Sequence, residues 1–374
     1  MKKELSSVEL KYLTDEFQQL IGSKVDKIYQ PAKKELLFSF HVPGIGKKML
    51  RIVPPGLMWL TEVKPAMPEK IHGFCALLRK YLTNARVRKI EQEGSERILE
   101  LQLETKKGEY SVIIELFGKG NILLCQNGKI LLPLSVQKWK DRIIRKGETY
   151  APPSREHNPF KISAAKFKKL IEDSKETISK TLAVELGIGG VYAAEVCLRA
   201  DVSKTAKKIT EQEIKKIHKT LNSLLQQKIE PVVVFENNKA VDITPFKLDR
   251  YAKKHQEPFK TYNQAFDSVL AKGLEKKELT QVKDKFAGRL ERIEKRIRLQ
   301  EENLKKQEKA AKEFQAKGEK IYEKYSELKK LFSEIKKMRK TMSWKEIKAK
   351  LKHVKYIKQI NEKTGEILIE LNKR

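Results

Sequence analysis

A chain of 374 residues is long enough to divide into two or three domains rather than enlarge one core. Its 80 Lys and Arg against 49 Asp and Glu leave a net charge of +31, which makes nucleic acid the first candidate partner and an anionic membrane surface the second. No run approaches transmembrane length, and Cys75, Cys125 and Cys197 are widely separated with no C-x-x-C, so neither a membrane span, a disulfide framework nor a zinc site is expected.

The stretch MKKELSSVELKYLTDEFQQLIG begins basic, but Glu4, Glu9, Asp15 and Glu16 interrupt any apolar h-region; no signal peptide is expected, and the chain reads as cytoplasmic. Ser6-Ser7-Val8-Glu9 fits a capping box, and Leu10, Leu13, Phe17, Leu20 and Ile21 recur at helical spacing, which predicts a helix to about Gly22. KVDKIYQ, ELLFSFHV, KKMLRIV and LMWLTEV then read as a meander of strands. After Pro65 and Pro68, HGFCALLRKYLTNARV carries Phe74, Leu77, Leu78, Tyr81 and Leu82 on one face and predicts a helix. ERILELQLE, YSVIIELF and ILLCQNGKILLPL return to strand alternation, with Asn127-Gly128 as a type I′ hairpin signal.

The fold class is therefore α+β, with an antiparallel-sheet domain over residues 1–160, punctuated near Pro152 and Pro153. Residues 161–270 are helical in composition, apart from a short β-like piece, EPVVVFENNKAVDITPF. From 271 to 350, Phe286, Leu290, Ile293, Ile297, Gln300, Leu304, Gln307, Ala311, Phe314, Gly318, Ile321, Tyr325, Leu328, Phe332 and Ile335 follow alternating steps of four and three, which predicts a coiled-coil arm. Such an arm needs a partner, either a second copy of itself or a returning helix. Residues 351–374 form the arm tip or the start of a further C-terminal part.

Several stretches could meet a polyanion. ELGIGGVYAAEV, within about 181–203, has the shape of a helix-hairpin-helix, in which Gly187, Gly189 and Gly190 would let backbone N–H groups approach a phosphate. The alternative is an ordinary helix–helix turn with a glycine C-cap. FGKGN, from Phe117 to Asn121, lacks the G-x-x-x-x-G-K-[ST] framework of a nucleotide site; a structural turn is the better reading, with Lys119 left free to touch phosphate. Arg79, Lys80, Arg86, Arg88 and Lys89 surround Tyr81, and WKDRIIRK repeats the excess, a pattern suited to RNA backbone and base stacking. The arm carries roughly two basic residues for every acidic one. Glu9, Glu96 and Glu115 are candidate acids, but no nucleophile, metal or paired-carboxylate motif stands out, and no cofactor is expected.

The order of these features, from the S-x-x-E helix through LRKYL, ERILELQ, ELFGKGNILL, GETYAPP, the glycine hairpin and YNQAFDSVL to the long heptad run, resembles the NFACT family, which includes NEMF, RqcH and proteins once named fibronectin-binding protein A. The resemblance implies a sheet domain like the N-terminal fold of formamidopyrimidine DNA glycosylases, followed by the helix-hairpin-helix domain and the arm. It also implies a ribosome quality-control factor that binds the large ribosomal subunit carrying an obstructed peptidyl-tRNA. Such a factor recruits aminoacyl-tRNA, here alanyl-tRNA, for template-free tailing of the nascent chain. The arm would reach toward the stalk base. Peptide-bond chemistry would belong to the ribosome, leaving a binding and positioning protein rather than an enzyme.

Two acids of the family map onto Glu9 and onto the Glu96-Arg97 pair; here both are one methylene longer than the family's aspartate. With Arg79, Lys80 and Lys119 they make the expected tRNA-binding or tailing set. Family members continue past the arm, so a chain ending at Arg374 reads as a truncated relative. The resemblance leaves two other readings. One is a DNA-binding or repair protein of glycosylase-like fold, for which Lys2 and Lys3 stand where the catalytic proline and its glutamate would be. The other is a fibronectin-binding surface adhesin, which would require export.

Overall fold

The capping box at the start of the chain forms: Ser6 Oγ accepts the Glu9 N–H, and Glu9 reaches back to the Ser6 N–H. It opens helix α1 (Ser7–Phe17), extended by a 3₁₀ turn, Gln18–Leu20, which buries Leu10, Leu13, Phe17 and Leu20. The computed structural model describes residues 2–371 except 69, 140, 141 and 154; for 272–287 it describes the helical backbone alone. Two units separate, Met1–Thr280 and Gln281–Arg374.

In the first unit, β1 (Lys24–Tyr29), β2 (Leu36–Val42), β3 (Gly46–Val53) and β4 (Leu57–Thr61) make the expected meander. Helix α2 (Gly73–Leu82) is followed by a second one, β5 (Arg86–Gln92), β6 (Ile98–Thr105), β7 (Gly108–Glu115), β8 (Asn121–Gln126) and β9 (Lys129–Pro133). Asn127 and Gly128 both take positive φ at the last hairpin, as a type I′ turn demands. The two meanders join through β1 and β5 into one antiparallel nine-stranded sheet, ordered β4-β3-β2-β1-β5-β6-β7-β8-β9.

This joint has local two-fold symmetry. Val25 N–H donates to Ala85 O and Val87 N–H to Ser23 O, each at 2.9 Å; Asn84 N–H donates to Val25 O at 2.9 Å and Gly22 N–H to Val87 O at 2.8 Å. One constant offset relates each pair, and it lays Leu20–Gln30 on Leu82–Gln92, which share L-x-x-x-[KR]-V-x-K-I-x-Q. Gly22 and Asn84 occupy the same left-handed conformation, which asparagine tolerates among non-glycine residues. The first half of this domain is thus an internal repeat of helix plus meander. Each repeat holds the other's helix through its final glutamine: Gln30 Oε1 accepts the Cys75 N–H of α2, and Gln92 Nε2 donates to Ser7 O of α1. That exchange sets the start of α1 against the turn that follows β5.

Beyond a small hairpin, β10 (Gln137–Lys138) with β11 (Ile143–Ile144), come α3 (Ala164–Asp173), α4 (Ile178–Lys180), a π-helical turn at Thr181–Glu185, α5 (Gly190–Arg199) and α6 (Glu211–Leu225). A three-stranded sheet follows, β12 (Val232–Glu236), β13 (Lys239–Thr244) and β14 (His255–Pro258), in the order β13-β12-β14. Residues on both sides of position 160 share one core, in which Leu13, Val87 and Leu101 pack with Leu186, Tyr192 and Phe246. Helix α7 (Tyr262–Glu323) starts with its first two N–H groups on the Glu16 carboxylate, at 2.6 and 2.9 Å.

The second unit departs from the heptad expectation. Leu290, Ile293, Ile297, Leu304, Phe314 and Ile321 lie exposed along α7, and the Phe286 side chain is outside the described residues. Among the described residues nothing covers them, so they form an apolar stripe of the kind that a coiled-coil partner would bury. The run also breaks at Lys324, which leaves helical geometry (φ −106, ψ 18) before α8 (Tyr325–Met338). There Leu331 and Ile335 pack with Ile347 of α9 (Trp344–Lys350), with Leu351, and with Ile360 of the hairpin β15 (Ile357–Ile360) and β16 (Ile367–Ile369). Of the last heptad positions Ile335 serves this small local core, whereas Tyr325 and Phe332 stay exposed.

Candidate functional site

Three segments distant in sequence meet around one cavity of about 720 Å³: the start of α1, the turn between β5 and β6, and the glycine turn before α5. Its lining includes Glu4, Ser6, Ser7, Glu96, Arg97, Phe117, Arg155, Gly187 and Gly189.

The β5–β6 turn is fixed by its own backbone, with Glu93 N–H on Ile98 O and Glu96 N–H on Glu93 O, and by Gln92, whose amide bridges Ser7 O and Glu96 O. From this turn Arg97 Nη1 donates to Glu4 Oε2 at 2.8 Å and to Leu5 O at 3.3 Å. Only one of its nitrogens is used in these bonds, so further donors remain for a ligand. Glu96 turns the other way and accepts Arg155 Nε at 2.8 Å. Arg155 Nη1 then donates to Val184 O and Glu185 O, the carbonyls that end the π-helical turn. This guanidinium is why Gly187 has no side chain: its φ is +82, and a Cβ would stand 2.4 Å from Arg155 Nη1.

Ser7 Oγ closes the triangle by donating to Gly187 O at 2.7 Å. Gly189, at φ +83, packs on Ser6 and caps α5 without a side-chain acceptor. The positive end of the α5 dipole is therefore left for an anion, beside two partly exposed arginines.

Phe117 forms another part of the wall. The Arg142 guanidinium lies 5.4 Å from its ring centre, and the buried Glu115 carboxylate holds Arg142 through both nitrogens, at 2.6 and 3.2 Å, while also accepting Tyr150 Oη at 3.1 Å. Burial first, and then the Glu115 charge, push the Tyr150 hydroxyl far up, so it stays a donor. In the same loop Gly120 packs against Pro54 and Pro55, where a Cβ would come within 2.6 Å.

Of the residues singled out in the sequence, Glu96, Arg97, Gly187 and Gly189 are brought together here, and Gly190 follows directly as the first residue of α5. Glu9 lies behind the wall, 1% exposed. Its Oε1 accepts Lys2 Nζ at 2.6 Å and Tyr192 Oη at 3.0 Å, while Oε2 accepts the Ser6 N–H. Lys2 Nζ also donates to Asp242 at 2.7 Å. Burial alone would lower the Lys2 pKa, but the carboxylates of Glu9 and Asp242 outweigh it and raise the value. Lys2 is therefore a paired ammonium.

Arg79 and Lys80 sit apart on α2, where Arg79 Nε donates to Ile28 O and its guanidinium lies over Tyr29. Lys119 is exposed in the β7–β8 loop outside the cavity lining. The sequence does not mark Arg155 at all, and it marks Phe117 and Ser7 only as parts of a turn and a capping box. Arg155 follows Pro152-Pro153, a pair read only as punctuation, and nothing local marks it as the partner of Glu96.

A family model described as NFACT N-terminal and middle domains matches residues 6–373. The chain belongs to the NFACT family. Among curated relatives, the archaeal Rqc2 homolog aRqcH of Methanocaldococcus jannaschii is 33% identical over 395 residues, covering 99% of this chain and 58% of its own length. The chain thus spans under two thirds of that NFACT relative. The ribosome quality control complex subunit NEMF homolog of Drosophila melanogaster is 32% identical over 126 residues, covering 33% of this chain and 13% of its own. Among solved structures, the N-terminal part of the fibronectin/fibrinogen-binding protein of Streptococcus suis aligns with a TM-score of 0.58 at 22% identity, over 71% of this chain and 98% of that one. The fibrinogen binding protein of Staphylococcus aureus aligns at 0.59 and 21%, over 70% and 97%. At these identities the two structures speak to the NFACT fold alone: α+β with a large antiparallel sheet. Among the described residues no helix is long and apolar enough to cross a membrane, and no cluster of His, Cys, Asp or Glu could hold a metal ion.

Proposed function

We propose that this chain is a ribosome quality-control factor that binds the large ribosomal subunit carrying an obstructed peptidyl-tRNA and recruits aminoacyl-tRNA, alanyl-tRNA by family resemblance, for template-free tailing of the nascent chain. The observation that carries this reading is the convergence of Arg97, Arg155 and the uncapped α5 N-terminus on one cavity, in a chain of net charge +31. Fork-shaped guanidinium donors and free helix amides are the groups that fix a phosphate backbone. The names of the NFACT relatives support ribosome quality control as the setting. In this reading Glu96 positions Arg155, while Arg97 touches the RNA. The chain positions substrates, and the ribosome forms the peptide bond.

RNA that co-purifies from cells at low salt tests the reading. Transfer RNA and large-subunit RNA should be enriched over bulk RNA, and an unenriched profile would overturn it. In fluorescence anisotropy with tRNA, Arg97→Ala should weaken binding by about tenfold and lower the salt slope by about one, whereas Gln102→Ala, on the adjoining strand, should not.

A further inference from the structure

The second unit carries a surface that RNA binding at the sheet domain does not use. A groove of about 520 Å³ runs between α8 and the β15–β16 hairpin. Ile335 and Ile367 supply apolar floor, and Phe332, 48% exposed, supplies one wall. Trp344 is held in place from two directions: Arg339 lies 5.3 Å from its ring centre, and Gly365 packs so closely that a Cβ there would come within 2.8 Å of the indole. Gly365 also takes φ +74, so both its conformation and its neighbour call for glycine. The groove is built by these contacts before anything enters it.

Its rim is entirely basic. Lys336, Arg339 and Lys340 line it, no acid does, and neither Lys336 nor Lys340 forms an ion pair with a described residue. Phe332 and Lys336 stand four residues apart on α8, and Arg339, its C-cap, and Lys340 follow directly at the helix end. Through residues 324–371 Lys and Arg outnumber Asp and Glu more than two to one. An apolar trough flanked by unpaired cations complements a segment with the opposite arrangement, apolar anchors flanked by carboxylates.

We infer that this groove docks an acidic amphipathic peptide segment of a partner protein, whose apolar side chains enter between Phe332 and Ile367 while its carboxylates meet Lys336 and Lys340. Single-stranded RNA fits the rim but not the floor. Ile335 and Ile367 offer no polar group to a base edge, and the Trp344 ring is already packed by Arg339 and Gly365.

The test uses the full chain and a labelled synthetic peptide of about fourteen residues, with Leu and Phe at i, i+3, i+4 and i+7 and Asp or Glu elsewhere. Fluorescence anisotropy should show saturable binding. A peptide of the same composition with its apolar residues scattered should bind at least about tenfold more weakly. Phe332→Ser and Lys340→Glu should each lose about tenfold, with circular dichroism unchanged, and Lys295→Glu on α7, outside the groove, should bind as the wild type does. Equal binding of the scattered peptide would reduce the effect to charge and overturn the inference, as would indifference to both groove variants. An oligouridylate that displaces the peptide and itself depends on Phe332 would make the groove an RNA surface. Peptide binding that only dissociates a self-associated chain in sedimentation would make it a contact between copies.

Discussion

Glu96 Oε1 and Arg155 Nε stand 2.8 Å apart across a sequence separation of 59 residues, and through Arg155 the turn after β5 is tied to the carbonyls of Val184 and Glu185. The acid of the Glu96-Arg97 pair thus faces inward onto a structural arginine, while the base beside it keeps donors for a ligand.

Arg155→Ala should therefore act on stability first. It leaves Glu96 without its cation and two carbonyls without a donor, while partial solvent access moderates the loss. Urea denaturation should show a decrease of about 1–2 kcal/mol. Arg155→Lys should recover little, since an ammonium cannot serve Glu96 and both carbonyls in the geometry of a guanidinium fork. Arg97→Ala, whose partner Glu4 is exposed, should shift the midpoint by less than about 1 kcal/mol and still weaken RNA binding.

Much of this arrangement could be read in the letters, for identifiable reasons. Alternation and turn chemistry located strands such as β6, which buries Leu99, Leu101 and Leu103 on one face, and S-x-x-E located α1 because its two side-chain bonds are local. Glu96-Arg97 and Gly187-Ile188-Gly189 stood out separately, but nothing local says that they meet. That contact follows from the exchange of helices between two repeats, whose signature, L-x-x-x-[KR]-V-x-K-I-x-Q, is present twice and was passed over. Glu9 shows the converse error of local reading. A glutamate at the third position of a helix suits a ligand contact, a cap or a buried pair equally well; that its carboxylate faces inward is decided by Tyr192, remote in sequence, and by Lys2, which remote Asp242 holds in turn. The helix break at Lys324 was not legible because the apolar run continues through it, and periodicity identifies an apolar stripe without naming what covers it.

The glycine turn separates architecture from contact. Gly187→Ala combines a positive φ with a clash on Arg155 and should cost about 1–3 kcal/mol in thermal or urea melts. A Cβ at Gly190 meets nothing within 4 Å, so Gly190→Ala should change stability by less than about 1 kcal/mol. It nevertheless places a methyl group beside the first amides of α5. If those amides meet RNA phosphate, tRNA affinity in anisotropy should fall by about tenfold while the melt stays put. Unchanged affinity would remove Gly190 from the contact surface.

The loop that carries Phe117 offers a parallel contrast. Gly120→Ala drives a Cβ into Pro54 and Pro55 and should destabilise by about 1–3 kcal/mol, since backbone must move to admit it. Lys119→Ala, one residue earlier and exposed, should leave the melt within about 0.5 kcal/mol. A drop in tRNA affinity that fades as salt rises would place Lys119 on the phosphate-facing surface.

The Lys2–Glu9–Asp242 network yields a prediction in pH. Lys2→Met leaves two buried carboxylates facing each other without a cation and should cost about 3–5 kcal/mol near neutrality, which is a large part of a domain's margin. Because Lys2 has a raised pKa in the folded state, its stabilisation is full below the unfolded lysine value of about 10.4 and is lost as pH rises through the folded value. From about pH 8 upward the stability gap between wild type and Lys2→Met should therefore stay constant, and it should narrow only above about pH 10.4. Tyr192, Tyr251 and Tyr262 surround the network, and burial raises all three hydroxyls. A gap that closed instead between about pH 8 and 9, below the range in which a lysine with a raised value loses its proton, would assign the network's stability to a group other than the Lys2 ammonium.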